Sequence, residues 1–162
     1  AFANDLENRG ILGNVRTIDE QSFMMVQRFG IWEQESNCKT WKTSYNEKGQ
    51  LTEEAYYNAN GSLLLKFLYS YNVEGNLTEE AEFDTDGSLD SKLVFAYDAK
   101  GNLVEEAEFK PDGSLDSKLV YSYEYDSVGN WIKMTSSKEG FKFGATVIEP
   151  TETAVRFITY YP

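Results

Sequence analysis

A 26-residue repeat dominates this chain: Gly49, Gly75 and Gly101 are 26 residues apart, and so are Gly61, Gly87 and Gly113. Between the glycines the text recurs as GQLTEEAYYNANGSLLLKFLYSYNVE, GNLTEEAEFDTDGSLDSKLVFAYDAK and GNLVEEAEFKPDGSLDSKLVYSYEYDSV. The third unit is two residues longer and leads into Gly129-Asn130-Trp131, a modified terminal unit. Each unit holds two segments in which apolar and charged residues alternate. A period of two is the mark of half-buried strands, and the many aromatic residues favour strands as well. Glycine returns too often for a helix to fit between. The chain is therefore expected to be all-β: an antiparallel meander of repeated hairpins, a two-strand repeat, in one curled sheet of about ten or eleven strands. One β-repeat domain over residues 1–162 is expected, with flank strands in 1–44, repeats in 45–130 and flank strands in 131–162.

The turns carry more detail. Asn58-Ala-Asn-Gly61, Asp84-Thr-Asp-Gly87 and Lys110-Pro-Asp-Gly113 alternate with Asn46-Glu-Lys-Gly49, Asn72-Val-Glu-Gly75, Asp98-Ala-Lys-Gly101 and Asp126-Ser-Val-Gly129. Glycine fourth in each fits a type I turn followed by a left-handed residue, so Gly75, Gly87, Gly101 and Gly113 are expected at positive φ. Turn geometry fixes register, and this one sets Lys92 between Glu80 and Glu108, and Lys66 between Glu54 and Glu82. It puts the odd-numbered residues of the repeats on one largely apolar face.

Charge separates the middle of the chain from its ends. Residues 45–126 hold 18 acidic residues and 6 lysines, which is the whole net charge of −12; the flanks hold 9 acidic and 9 basic. No basic cluster offers the footprint a nucleic-acid partner requires. No apolar run approaches the ~20 residues of a membrane-spanning helix. The chain has no histidine and one cysteine, Cys38, which excludes Ser-His-Asp and Cys-His catalysis and His- or Cys-built zinc sites. Cys38 is read as a small buried apolar residue. A start at Ala1 rather than Met is read as a processed or truncated end.

Strands are expected over 15–29 and 38–45, then near 130–136, 141–148 and 154–161, with a helical turn at Leu6 capped by Asn4. An apolar face needs a cover. Residues 15–29 and 141–161 are expected to supply it, through Phe23, Met25, Phe29, Phe157 and Tyr160; a dimer through that face is the alternative.

Three constellations are candidates for chemistry. Tyr69, Tyr71, Tyr97, Tyr121, Tyr123 and Tyr125 would form a platform for stacking on sugars or gripping peptides. Glu53, Glu79 and Glu105 share their parity and would be partly desolvated among them, a setting in which paired carboxylates hydrolyse glycans. Asp84, Asp86 and Asp90 resemble a fragment of a calcium loop, although the sister turns lack those carboxylates. No cofactor is implied.

Tyr97-Asp98-Ala-Lys-Gly101-Asn102-Leu103 resembles the YD repeats of RHS proteins. The layout over residues 12–161 is more similar still to a group of uncharacterised exported proteins and lipoproteins of Bacteroidetes-type bacteria. The matching features are Leu12-Gly13-Asn14-Val15-Arg16, hairpins with Asp-Gly-Ser-Leu, Gly129-Asn130-Trp131 and Ile158-Thr159-Tyr160-Tyr161. The resemblance implies a repeat-rich β-sheet and export to the periplasm or cell surface, with a lipid anchor on the precursor as one form of it. It carries no catalytic residues, and the repeats are too few to enclose a cargo as large RHS shells do. The expected function is a non-catalytic binding or scaffold module whose partner is a glycan, a peptide or an envelope protein. A carboxylate-based hydrolase and a calcium-stabilised adhesive repeat are the alternatives.

Overall fold

The turns close as their residue pattern requires. Asp98 N donates to Asn102 O at 2.9 Å and Gly101 N to Asp98 O at 3.0 Å, and the same pair of bonds recurs at every repeat junction. The Asp98 carboxylate also accepts the N–H groups of Lys100 and Asn102, at 2.8 and 2.9 Å, which is why Asp or Asn leads all of these turns but the one at Lys110. Gly101 has φ 81°, and Gly75, Gly87 and Gly113 are also positive, as expected.

The computed structural model describes residues 5–142 and 145–161, apart from the side chains of residues 6, 7, 35–38, 141 and 142. The expected Asn4 cap and the burial of Cys38 lie outside the described residues. A short helical turn, α1 (Asp5–Asn8), precedes β1 (Thr17–Arg28) and β2 (Ile31–Tyr45). The repeats supply β3 (Leu51–Tyr57), β4 (Leu63–Tyr71), β5 (Leu77–Phe83), β6 (Leu89–Tyr97), β7 (Leu103–Phe109) and β8 (Leu115–Tyr125). β9 (Trp131–Lys142) and β10 (Ala145–Val155) follow. The ten strands form one antiparallel sheet in chain order, and it is not closed into a barrel. The chain divides into two compact units, residues 1–71 with 79–91, and 72–78 with 92–162.

Several flank boundaries differ from expectation. β2 begins at Ile31 because Phe29 and Gly30, at φ 51° and 82°, make a two-residue turn between the paired Arg28 and Ile31. β9, expected near 130–136, runs on to Lys142, β10 covers Ala145–Val155, and the strand expected over 154–161 is not formed. Beyond β10, Arg156 N donates to Ile132 O at 2.8 Å and the chain leaves the ladder.

The register departs from expectation one step past the turns that lead into β3, β4, β7, β8 and β9. Tyr97 pairs with Leu103 as the turn dictates, but Ala96 pairs with Glu105, so Val104 is an extra residue in β7. The same β-bulge places Thr52, Leu64, Asp116 and Ile132 as extra residues second in their strands. Each bulge shifts the rest of its hairpin by one residue and exchanges the faces. Lys92 therefore lies opposite Phe109, not Glu108, and Lys66 lies opposite Ala55, not Glu54. The expected Glu–Lys–Glu rows are not formed.

With the faces exchanged, apolar side chains are shared between both sides of the sheet. In the second unit one side carries the row Val94–Ala107–Lys118, and the other carries Phe95–Glu106–Leu119. No single apolar face remains for the flanks to cover. β1 and β10 extend the sheet at its edges, and Phe23, Met25, Phe29, Phe157 and Tyr160 are exposed. Burial is achieved within one layer instead. Ala55 and Ala107, 1% and 4% exposed, are sheltered by long side chains from adjoining strands. Lys42 and Lys66 flank Ala55, and Lys118 lies beside Ala107. Apolar stems of lysine cover apolar surface while their ammonium groups stay in water. Those ammonium groups find partners: Lys118 Nζ is 3.0 Å from Glu105 and 3.4 Å from Glu139, and Lys66 Nζ lies 5.1 Å from the Phe83 ring centre.

Candidate functional site: a tyrosine and carboxylate face

The bulges determine which acids meet the tyrosines. Glu105 lies opposite Ala96 and Val120, on the lysine side of its strand, where Lys118 binds it. Glu53 lies opposite Ser44 and Leu68. Glu79 shares its side of β5 with Phe83, the ring under Lys66. The expected grouping of Glu53, Glu79 and Glu105 with the aromatic side chains is thus corrected: the neighbouring glutamates Glu54, Glu80 and Glu106 take that place.

In the first unit, Tyr69 OH donates to Glu54 Oε2 at 3.1 Å and Tyr71 OH to Leu51 O at 2.8 Å. Burial, then the Glu54 charge, pushes the Tyr69 hydroxyl pKa well up; burial, then Asp5 and Glu80, raises Tyr71 to about 12. Beside them Trp41 pairs with Tyr56, and Trp41 Nε1 donates to Glu20 Oε2 at 2.8 Å. Arg9, just past α1, donates to the Tyr45 hydroxyl at 2.8 Å.

The second unit repeats this arrangement. Tyr121 OH donates to Glu106 Oε2 at 3.2 Å and Tyr123 OH to Leu103 O at 2.8 Å, the equivalents of Tyr69 and Tyr71 two repeats on. Tyr125 OH donates to Asp98 Oδ2 at 3.1 Å and accepts from Asn102 Nδ2 at 3.0 Å. Bonds from Asn102 above all, side chain then backbone, hold the Asp98 carboxyl down at about 2. Tyr97 belongs to the same unit, and its hydroxyl pKa is raised by burial and then by Glu106. Trp131 completes the cluster, its ring centre 6.0 Å from that of Tyr123. The Arg156 guanidinium sits 3.1 Å above Trp131, and Lys100 Nζ 3.6 Å above Tyr125.

The platform residues thus fall into one group per unit, and the hydroxyls of Tyr69, Tyr71, Tyr121, Tyr123 and Tyr125 are tied to carboxylates or backbone. Hydroxyls held this way fix the rings in place. The sequence reading missed Glu54, Glu106, Trp131 and Arg156. The signal for the glutamates was present: Glu54 and Tyr69 are 15 residues apart, as are Glu106 and Tyr121.

The aspartates of the calcium-like turn serve the turn itself. Asp86 Oδ1 accepts Ser88 N at 2.8 Å and Ser88 Oγ at 2.6 Å, and Asp84 Oδ1 accepts Thr85 N at 2.6 Å. Among the described residues no three such side chains gather as a metal site. On the lysine side of the first unit, Asp19, Gln21, Thr40, Lys42 and Tyr57 line an open depression of about 510 Å3, in which Lys42 pairs with Asp19 at 3.5 Å. Among the described residues no helix is long and apolar enough to cross a membrane.

Glu80 gives a pH-dependent test of this face. Burial, then Glu82 and Glu54, raise its carboxyl pKa. A raised carboxyl favours the protonated native state, so stability falls as pH rises from the unfolded value through the folded one. Glu80→Gln is expected to raise the melting midpoint at neutral pH. The gain is expected to vanish by about pH 3, where the unfolded carboxyl is protonated too. A midpoint unchanged at pH 7 would show that Glu80 is fully solvated.

No family model and no curated protein matches this chain. Among solved structures it is similar to a porin-like protein from Bacteroides uniformis, with a TM-score of 0.39 and 10% identity, covering 87% of this chain and 85% of that one. It is also similar to part of the TcdB2-TccC3-Cdc42 structure, at TM-score 0.31 and 17% identity over 80% of this chain. TcdB2-TccC3 without its hypervariable C-terminal region gives 0.19 and 13% over 91%. The chain spans 7% and 11% of those two chains. None of these likenesses is close enough to transfer a role.

Proposed function

We propose that this chain is an exported, non-catalytic binding or scaffold module of the bacterial cell envelope, and that the tyrosine and carboxylate face is its recognition surface. One observation carries the reading: the rings are half-exposed yet fixed, because the hydroxyls of Tyr69, Tyr71, Tyr121, Tyr123 and Tyr125 are bonded within the chain. Rings fixed before a ligand arrives lose little entropy on binding. Carboxylates beside them accept hydroxyl protons. The ligand class that uses both is a neutral glycan, which stacks its C–H faces on aromatic rings and donates hydroxyls to glutamate.

The experiment is a glycan-array screen followed by titration calorimetry on the strongest hit. Trp131→Ala and Tyr123→Ala are expected to weaken binding at least tenfold while the fold is kept. Binding that survives both substitutions would move the surface elsewhere, and an array with no hit would remove the glycan reading. A carboxylate-based hydrolase is the second reading, supported by the raised pKa of Glu80, which suits a general acid. It would be favoured if the bound glycan were cleaved and Glu80→Gln abolished cleavage.

A further inference from the structure

The two edges of the sheet differ. β10 is guarded: Pro150 has no N–H to offer, the ladder shifts between Pro150 and Glu152, and Glu149 and Glu152 carry charge. β1 has no proline and no inserted residue of its own, and its charged residues, Asp19, Glu20 and Arg28, lie toward its two ends. Residues 21–27, QSFMMVQ, contain no charge, no proline and no glycine. The irregularity beside β1 falls in its neighbour, where Glu35, Ser36 and Asn37 all lie opposite Met24. β1 itself is unbroken from Thr17 to Arg28, and Met24 and Met25 are 68% and 56% exposed. An open edge of this kind is a template for another strand.

The sequence of β1 is complementary to itself. About a two-fold axis through Met24, an antiparallel second copy sets Phe23 opposite Met25 of the partner subunit and Gln21 opposite Gln27 of the partner subunit. Glu20 falls opposite Arg28 of the partner subunit, and the symmetry repeats each pair. Ser22 falls opposite Val26 of the partner subunit; at the other pairs apolar meets apolar, amide meets amide and acid meets base, and no like charges are opposed. Both charged residues lie on the same side of β1 as Met24, as strand alternation requires. Glu20 is already held by Trp41 and Arg9, at 2.8 and 3.3 Å, and a carboxylate has lone pairs for a further donor. The acidic repeats do not oppose the contact locally, because residues 1–44 carry 6 acidic and 5 basic residues. The geometry points to a homodimer formed by antiparallel pairing of β1 with β1 of a second copy, joining two sheets at their unguarded edges. This goes beyond the proposed recognition surface and does not depend on it.

The test is sedimentation over a concentration series, paired with cross-linking. The unaltered chain is expected to show a concentration-dependent dimer. Arg28→Glu turns both ion pairs into Glu–Glu contacts and is expected to weaken the dimer about tenfold. Met24→Lys, which places two ammonium groups on the axis, is expected to abolish it; a melting curve for each variant controls for folding. With Cys38→Ser, Met24→Cys is expected to form a disulfide dimer on oxidation, because opposed Cα atoms at about 4.5–5.5 Å are within reach. Thr146→Cys on β10, in the same Cys38→Ser background, is expected to give no disulfide dimer. A chain that remains monomeric at sub-millimolar concentration overturns the inference. So does a dimer indifferent to both Arg28→Glu and Met24→Lys, or one that cross-links equally well through residue 146.

Discussion

Replacing Tyr45 with alanine is expected to lower the unfolding free energy by about 3 kcal/mol, the low end of what loss of a buried aromatic costs. Tyr45 is 5% exposed, the largest buried side chain among the described residues, where the others buried are Thr, Ser, Ala and Gly. Its hydroxyl accepts from Arg9 Nη1 at 2.8 Å, a bond that raises the guanidinium pKa further. Arg9 in turn pairs with Glu20, which holds Trp41. Alanine removes the ring and leaves Arg9 without this acceptor, so α1 and β1 both lose an anchor on β2. Because domains are stable by only about 5–15 kcal/mol, the loss is a large share of the total. Tyr45→Phe keeps the ring and is expected to cost about 1 kcal/mol, the net value of the hydrogen bond. Urea denaturation of the two variants measures both quantities. A loss under about 1 kcal/mol for alanine would mean that Tyr45 is not anchored as described.

Thr43→Val is expected to stabilise the chain by about 1 kcal/mol, an unusual sign for a substitution at a buried position. Thr43 is 1% exposed, and its Oγ1 has no hydrogen-bond partner among the described residues. It lies between Ile18 and Glu54 across the ladder, on the same side of β2 as Tyr45 and Trp41. Valine keeps the shape and the β-branch, which suits a strand, and removes the desolvated hydroxyl. The midpoint of thermal unfolding should rise. A fall would show that the hydroxyl is satisfied, by water or otherwise. Thr43 and Tyr45 are near neighbours, so a double mutant with Tyr45→Phe is expected to be non-additive.

The strands and turns were legible in the sequence because each is written locally. Asp98 and Gly101 specify their turn by side-chain bonding and by φ, and the alternation around them specifies extended chain. The bulges were not legible, because the extra residue has no type in common: Thr52, Leu64, Val104, Asp116 and Ile132 fill equivalent places. One inserted residue then reversed every facing assignment beyond it, which is why Glu105 was grouped with the tyrosines. Either register sets a column of glutamates beside the tyrosines, Glu53, Glu79 and Glu105 without the bulges and Glu54, Glu80 and Glu106 with them, so the charge pattern does not choose between the two. The Phe29–Gly30 turn was missed for a similar reason. Phenylalanine at positive φ runs against its own preference, so no local signal announces it. The absence of a covering layer had no local signal either, since alternation shows that a strand has two unlike faces but not what lies against each.

Bulged hairpins put Lys66, Lys118 and the buried alanines on one side of their strands and Tyr69 and Tyr121, with Glu54 and Glu106, on the other. Nuclear Overhauser contacts from the methyl group of Ala107 test this arrangement most directly. Ala107 is 4% exposed and lies between Val94 and Lys118, so its methyl is expected to show cross-strand contacts to the side-chain protons of those two residues. Contacts to Leu93 and Ser117 in their place would show a register without bulges. The tyrosine and glutamate face described here would then not exist.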